Sequence, residues 1–117
     1  MPTNGLIESI LDSIKIQRGI DLDNDSFDSQ LIIYINTYLA DLNQLGVGVE
    51  GFQITSRDET WESFLGADWK FNTVQTYVGL QCQLVFDPPA SSAAVDSINR
   101  QLSRLEFRIF VRGGDGP

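Results

Sequence analysis

The sequence predicts an all-α fold, a small bundle of four to five helices with a glycine-rich loop and at most a short β-segment. Three observations carry this expectation. Apolar residues recur at three- and four-residue steps through most of the chain rather than alternating. Glycine or proline closes each periodic stretch where a helix has to stop. The chain has 117 residues, 42% hydrophobic and 21% charged, which suits one domain and is too short for two ordinary ones.

The first helix is expected from about Asn4 to Arg18. Leu6, Ile7, Ile10, Leu11 and Ile14 make a single stripe, Asn4 is placed to cap it, and Gly19 suits a left-handed stop. A second runs from about Ser26 to Leu45, with Phe27, Leu31, Ile35, Tyr38, Leu42 and Leu45 on one face and Ile32 and Leu39 widening it. So wide a stripe implies more than one neighbour. Gly46 ends it.

Phe52 to Thr55 reads as a short extended piece. Ser56 with Glu59 has capping-box spacing for a short helix carrying Trp61, Phe64 and Leu65, closed by Gly66. Asp68 is placed to cap a fourth helix reaching Phe86, and no charged residue occurs from Phe71 to Phe86. Asn72, Gln75, Gln81 and Gln83 interrupt that run, so it reads as a central buried helix and not as a membrane span. Asp87-Pro88-Pro89 stops it. Ser91 or Ser92 then caps a last helix to about Arg112, with Val95, Ile98, Leu102, Leu105 and Ile109 as a narrow seam. Residues 1–112 are expected to form the single domain, and the glycine-rich 113–117 a mobile tail.

Composition excludes several kinds of chemistry. There is no histidine and one cysteine, Cys82, which removes Ser–His–Asp and Cys–His catalysis, structural zinc and any intrachain disulfide. The first ten residues lack the layout of a signal peptide, so a compartment with reduced thiols is expected. Net charge is −8, unsuited to a free-standing nucleic-acid binder. It is also uneven: residues 1–68 hold 12 acids and 3 bases, residues 69–117 hold 4 and 5. Two electrically different ends suit neighbour-to-neighbour contact, although a solvated acidic surface has the same composition.

Two motifs fail on context. Gly46-Val47-Gly48-Val49-Glu50-Gly51 matches G-x-G-x-x-G, but it follows a helix and leads into an extended piece, the reverse of a dinucleotide site. It reads as a linker or partner-facing loop. Asp21, Asp23 and Asp25 imitate the start of a calcium loop, yet Ser26 stands where glycine is needed and Ile32 where the bidentate glutamate belongs. Asp58, Glu59 and Glu62 are accounted for by capping and solvation, and Cys82 by core packing. No catalytic residue, metal or cofactor is expected, and no enzymatic activity.

The last helix carries the stronger signal. Arg100, Arg104, Arg108 and Arg112 are half of all the positive charges, in a line that drifts 40° per step at about 100° per residue. Phe107 and Val111 fall on the same outer side, away from the seam. Arginines near a helix C-terminus are favourable in themselves. A phenylalanine among them is typical of an interface hot spot. Arg100, Arg104, Phe107, Arg108 and Val111 are therefore the candidate interface to another subunit or partner.

The chain resembles the head–tail connector adaptors (head-completion proteins) of long-tailed double-stranded DNA bacteriophages over about residues 6–110. The likeness lies in LIESILDSIK, FDSQLIIYIN, LNQLGVG, GFQI, ETWESFLG, VQTYVGLQCQLVFDPP and SRLEFRI, in that order and spacing. It implies a virion structural protein at the capsid vertex, assembled in the host cytoplasm. A ring of such copies, usually twelve, would sit beneath the portal protein, close the head and offer a surface to the next neck or tail-completion component. Genomic DNA would pass through the lumen without sequence-specific binding, and no membrane is involved. Relatives often have basic residues where Gln81 and Gln83 stand, so no basic patch is implied there. An acidic conduit agrees with this, since tight DNA binding requires phosphates to be neutralised by Lys and Arg. The competing reading is a small acidic helical adaptor or regulator that binds another viral or host protein through Arg104 and Phe107. Third comes a carboxylate-based hydrolase.

Overall fold

The computed structural model describes the backbone of residues 8–66 and 72–114, and the side chains of 8–66 and 73–109. Five helices follow in order: α1 (Ile10–Gln17), α2 (Asp28–Gln44), α3 (Trp61–Leu65), α4 (Asn72–Phe86) and α5 (Ser92–Gly114). Among the described residues the only β-pairing is an isolated antiparallel bridge between Ser9 and Thr60. The all-α expectation holds, and the extended piece around Phe52 pairs with no strand.

Helix boundaries differ from the sequence reading for local reasons. Ser9 caps α1, its backbone extended and its side chain accepting from the Asp12 amide, so the helix starts at Ile10. Asn4, Leu6 and Ile7 lie outside the described residues. Gly19 takes the expected positive φ of 73°. The second helix begins at Asp28, not Ser26, because Asn24 Oδ1 accepts from the Ser26 amide and keeps that segment a turn. At the other end Gly46, at φ 84°, closes it.

The Ser56–Glu59 pair forms its bonds without capping a helix. Glu59 accepts from the amides of Thr55 (2.9 Å) and Ser56 (3.1 Å) and from the Thr55 hydroxyl (2.8 Å). Burial pushes the Glu59 carboxyl up, but these bonds outweigh it and hold the group below its ordinary value. The result is a locked loop. Thr60 caps α3 instead, accepting from the Ser63 amide. Asp68 and Phe71 lie outside the described residues. Ser91 accepts from the Ala94 amide at the start of α5, as expected of a cap, and α5 continues two residues past Arg112.

The uncharged α4 is the middle of the molecule. It packs against α5 on one side and against α1 and α2 on the other. Leu31, Ile35, Leu39 and Leu42 of α2 are fully buried, Ile98, Leu102 and Ile109 of α5 nearly so, and Val74, Tyr77, Val78 and Cys82 of α4 join the same core. Tyr38 is only partly buried while Leu39 is fully so, which turns the α2 face slightly from the predicted one. Short α3 docks on α1: Trp61 Nε1 donates to Ser13 Oγ at 2.8 Å, and Ser13 Oγ donates to the Ile10 carbonyl at 2.9 Å.

Two polar anchors fix the N-terminal half. Lys15 is 1% exposed, and its ammonium meets Asp28 at 2.9 Å and the Leu22 carbonyl at 3.2 Å, tying α1 to the first turn of α2. Asn36, inside α2, donates to the Ile54 carbonyl and accepts from the Ile54 amide. That clamp seats the 52–54 segment on α2 and buries Ile54.

Candidate functional site

The outer face of α5 is built by periodicity. Leu102, Leu105 and Ile109 turn toward α4, so Arg100, Arg104, Phe107 and Arg108 turn outward, and all four are exposed. Phe107, at 67% accessible, is the most exposed large hydrophobic side chain among the described residues. Arg104 and Arg108, with Thr76, Gln101 and Leu105, line an open groove of about 160 Å³ between α4 and α5. The backbone of Val111 continues the same helix; its side chain lies outside the described ones.

Charge separates this face from the remainder. The N-terminal cations are used within the chain: Lys15 meets Asp28, Arg57 Nη2 meets Asp12 at 3.0 Å, and Arg18 is half-buried toward the end of α4. Burial holds the Arg18 guanidinium below its ordinary value, with Cys82 and Asp87 opposing. Among the described residues no ion pair involves Arg100, Arg104 or Arg108. Among the described residues, the exposed cations without an ion pair therefore stand on one helix face. Opposite them in sign is the turn before α2, where Asp21, Asp23 and Asp25 are all exposed.

The glycine loop is held from within. Asn43 Nδ2 donates to the carbonyls of Val47 and Val49, its Oδ1 accepts from the Gly51 amide, and the Val49 amide donates to the Phe64 carbonyl. Gly46, Gly48 and Gly51 all have positive φ. A Cβ on Gly48 would lie 2.3 Å from the Phe64 ring, so the loop sits directly on α3. Outward it presents Val49, 53% exposed, and Glu50. Among the described residues no hydrogen bond joins this loop to α5.

The remaining motifs resolve into local structure. In the aspartate-rich turn, Asp21 Oδ1 accepts from the Asp23 amide at 3.4 Å. No cluster of three or more His, Cys, Asp or Glu side chains suited to a metal occurs among the described residues. Cys82 is fully buried, and burial pushes its thiol up to about 12, against a smaller lowering effect of Arg18. Exposed apolar residues also occur where the sequence analysis named none, the most exposed being Ile33 on α2, 64% accessible. Its signal was available, since it is out of phase with the Leu31, Ile35, Leu39 row. The groove partners Thr76 and Gln101 had none, because only the α4–α5 packing brings them together.

These features define a small helical protein, with an exposed row of arginines on α5 and a buried, uncharged middle helix. The chain belongs to the phage connector protein family, whose profile matches residues 10–115. Its role is thus in the connector of a bacteriophage particle, between head and tail. No curated protein and no solved structure matches the chain. Among the described residues no helix is long and apolar enough to cross a membrane.

Proposed function

We propose that this chain is the subunit of a connector ring, twelve copies around the axis, seated beneath the portal protein. The ring closes the DNA-filled head, offers its lower rim to the next neck or tail component, and leaves a lumen through which the genome passes. The observation that carries this reading is the α5 face. Its exposed arginines surround an exposed phenylalanine on an otherwise acidic chain, as befits a surface that meets acidic protein. The role is structural and uses no cofactor. The Gly46–Gly51 loop is a secondary contact region, through Val49 and Glu50.

Sedimentation and native mass measurement of the purified chain, alone and with isolated portal, test the reading. A discrete ring, or binding to portal, supports it; a chain that stays monomeric in both refutes it. Arg104→Glu with Arg108→Glu should abolish assembly or head attachment while leaving helix content and melting nearly unchanged. Phe107→Ala should weaken the same step by more than about 1 kcal/mol. Assembly should also weaken as salt rises, because exposed charges are screened over about 8 Å at physiological ionic strength.

A further inference from the structure

The groove between α4 and α5 gathers polar side chains that the fold itself leaves unused. Thr76 comes from α4, Gln101, Arg104 and Arg108 come from α5, and Leu105 completes the lining. Among the described residues, none of those four polar side chains makes a hydrogen bond or ion pair within the chain. The groove measures about 160 Å³, far above the roughly 10–15 Å³ that one water needs, so a side-chain-sized group fits.

The charge in it is uncompensated. Arg104 and Arg108 stand one turn apart, and like charges at that spacing are unfavourable in a helix. No acid lies three or four residues from either, whereas Arg100 has Asp96 four residues before it. The nearest acid in sequence, Glu106, is on the other flank of α5, roughly 160° round the helix from both arginines. There it accepts from the Tyr77 hydroxyl at 3.2 Å, which in turn accepts from Gln81. An anion seated between the two arginines therefore relieves a repulsion that the free chain carries.

We propose that this groove takes one carboxylate side chain from an acidic segment of a partner protein. Arg104 and Arg108 supply charge-assisted bonds, and Thr76 and Gln101 donate to the remaining lone pairs. Phe107 lies roughly 60° round the helix from Arg104, on the side away from the groove, and packs an apolar residue of the same segment. At 67% exposed it has that area to give. This rests on the reading of α5 as a surface that meets acidic protein, and it names the chemistry that the surface recognises. A DNA duplex suits the groove less well. It carries a charge about every 1.7 Å and binds by having many phosphates neutralised. Here it would meet two arginines on a chain of net charge −8, with Phe107 idle.

Fluorescence anisotropy on the full chain, diluted until native mass shows monomer, tests the proposal with three labelled probes. They are a pentapeptide of four glutamates around one phenylalanine, the same peptide with glutamines, and a short DNA duplex. Two variants accompany the wild type. Thr76→Val with Gln101→Leu strips the groove of its neutral donors and keeps every arginine; Arg100→Gln removes an arginine outside it. The glutamate peptide should bind at least tenfold more tightly than the glutamine peptide, and more tightly than the duplex. The groove variant should lose at least fivefold, and Arg100→Gln less than twofold. Circular dichroism checks helix content, and if the double variant loses it, Gln101→Leu alone, at an exposed position, should still weaken binding. Absent or equal binding of the two peptides, tighter binding of the duplex, or a groove variant that binds like the wild type would each overturn the proposal. Native mass with portal reads the ring separately. Peptide binding that fails on a chain which still assembles strikes the groove alone, and a chain that binds peptide yet never assembles strikes the ring alone.

Discussion

Asn36 grips Ile54 by both sides of its peptide backbone, donating to the carbonyl at 3.0 Å and accepting from the amide at 2.8 Å. A helical side chain thereby does for one residue what a neighbouring strand would do. Ile54 is 1% exposed, so water cannot replace either bond. Asn36→Ala should cost about 2 kcal/mol or more in urea unfolding, since two buried backbone groups lose their partner. Asn36→Asp should cost at least as much: it keeps the acceptor but sets a carboxylate against the Ile54 carbonyl. A near-neutral Asn36→Ala would show that the segment is held by Ile54 packing alone.

Lys15 and Asp28 should respond unequally. Lys15 is 1% exposed, whereas the Asp28 side chain keeps 26% and reaches water. Lys15→Met keeps a similar volume and leaves a carboxylate whose Oδ1 is buried but whose side chain is partly hydrated, so its cost should be the smaller of the two. Asp28→Asn strands a buried ammonium on the Leu22 carbonyl and should cost about 3 kcal/mol. Equal losses in thermal melts of the two variants would contradict this account.

Three glycine-to-alanine variants separate backbone strain from steric overlap. Gly46 has φ 84° with nothing within 4 Å of a new Cβ, so Gly46→Ala should cost only about 1 kcal/mol of left-handed strain. Gly48 has φ 82° and faces the buried Phe64 ring at 2.3 Å, so Gly48→Ala should cost about 2 kcal/mol more. Gly79 lies inside α4, where the overlapping atoms are the amide end of the exposed Gln17 side chain. Gln17 can swing away at the loss of its bond to the Gln75 carbonyl, while helix propensity gains about 1 kcal/mol. Gly79→Ala should be neutral. The order of the three melting temperatures is the measurement.

Alkaline pH should destabilise the protein over two overlapping ranges. Burial pushes the Cys82 thiol up to about 12 from 9.0. Tyr77 also rises to about 12, from 10.0, mainly by burial, with Glu106 adding and the bond from Gln81 opposing. Both groups keep their proton more tightly folded than unfolded, so their stabilisation is complete below pH 9 and lost between there and about 12. For Cys82 the loss is about 4 kcal/mol if the whole gap is expressed. Cys82→Ala should remove the part of the decline that begins near pH 9, and Tyr77→Phe the part that begins near 10. Superimposable profiles for wild type and both variants would mean that other groups govern alkaline unfolding. The native thiol should also resist alkylation at pH 8 until the chain is unfolded.

What could be read in advance follows from which interactions leave a periodic trace. The five helices did, because each buries an apolar stripe, and the absence of charge from Phe71 to Phe86 marked the middle helix. Phe107 was legible as an outward residue by the same angular arithmetic. Lys15 and Asn36 were not, since a polar residue in a helical pattern is ordinarily assigned to solvent, and its buried partner lies in another segment. The Ser56–Glu59 pair was recognised by spacing, but spacing cannot tell a capped helix from a closed loop. The α4–α5 groove depends on how two helices meet, which neither helix encodes alone.

The central position of α4 also has a consequence for synthesis. The buried row of α2 leaves the ribosome well before the helix that covers it: 42 residues separate Gln44 from the end of Phe86, counting from Leu45. At about 5–20 residues per second, Leu31, Ile35, Leu39 and Leu42 wait roughly 2–8 s for their partner. During that interval neighbouring nascent chains on one message can associate through the same residues. The 12 acids and 3 bases of residues 1–68 make such chains repel one another while no fold yet exists. The acidity of the N-terminal half should thus act as a kinetic safeguard as well as a surface property. Neutralising it would be felt first as aggregated yield, and only later, if at all, as a lower melting temperature.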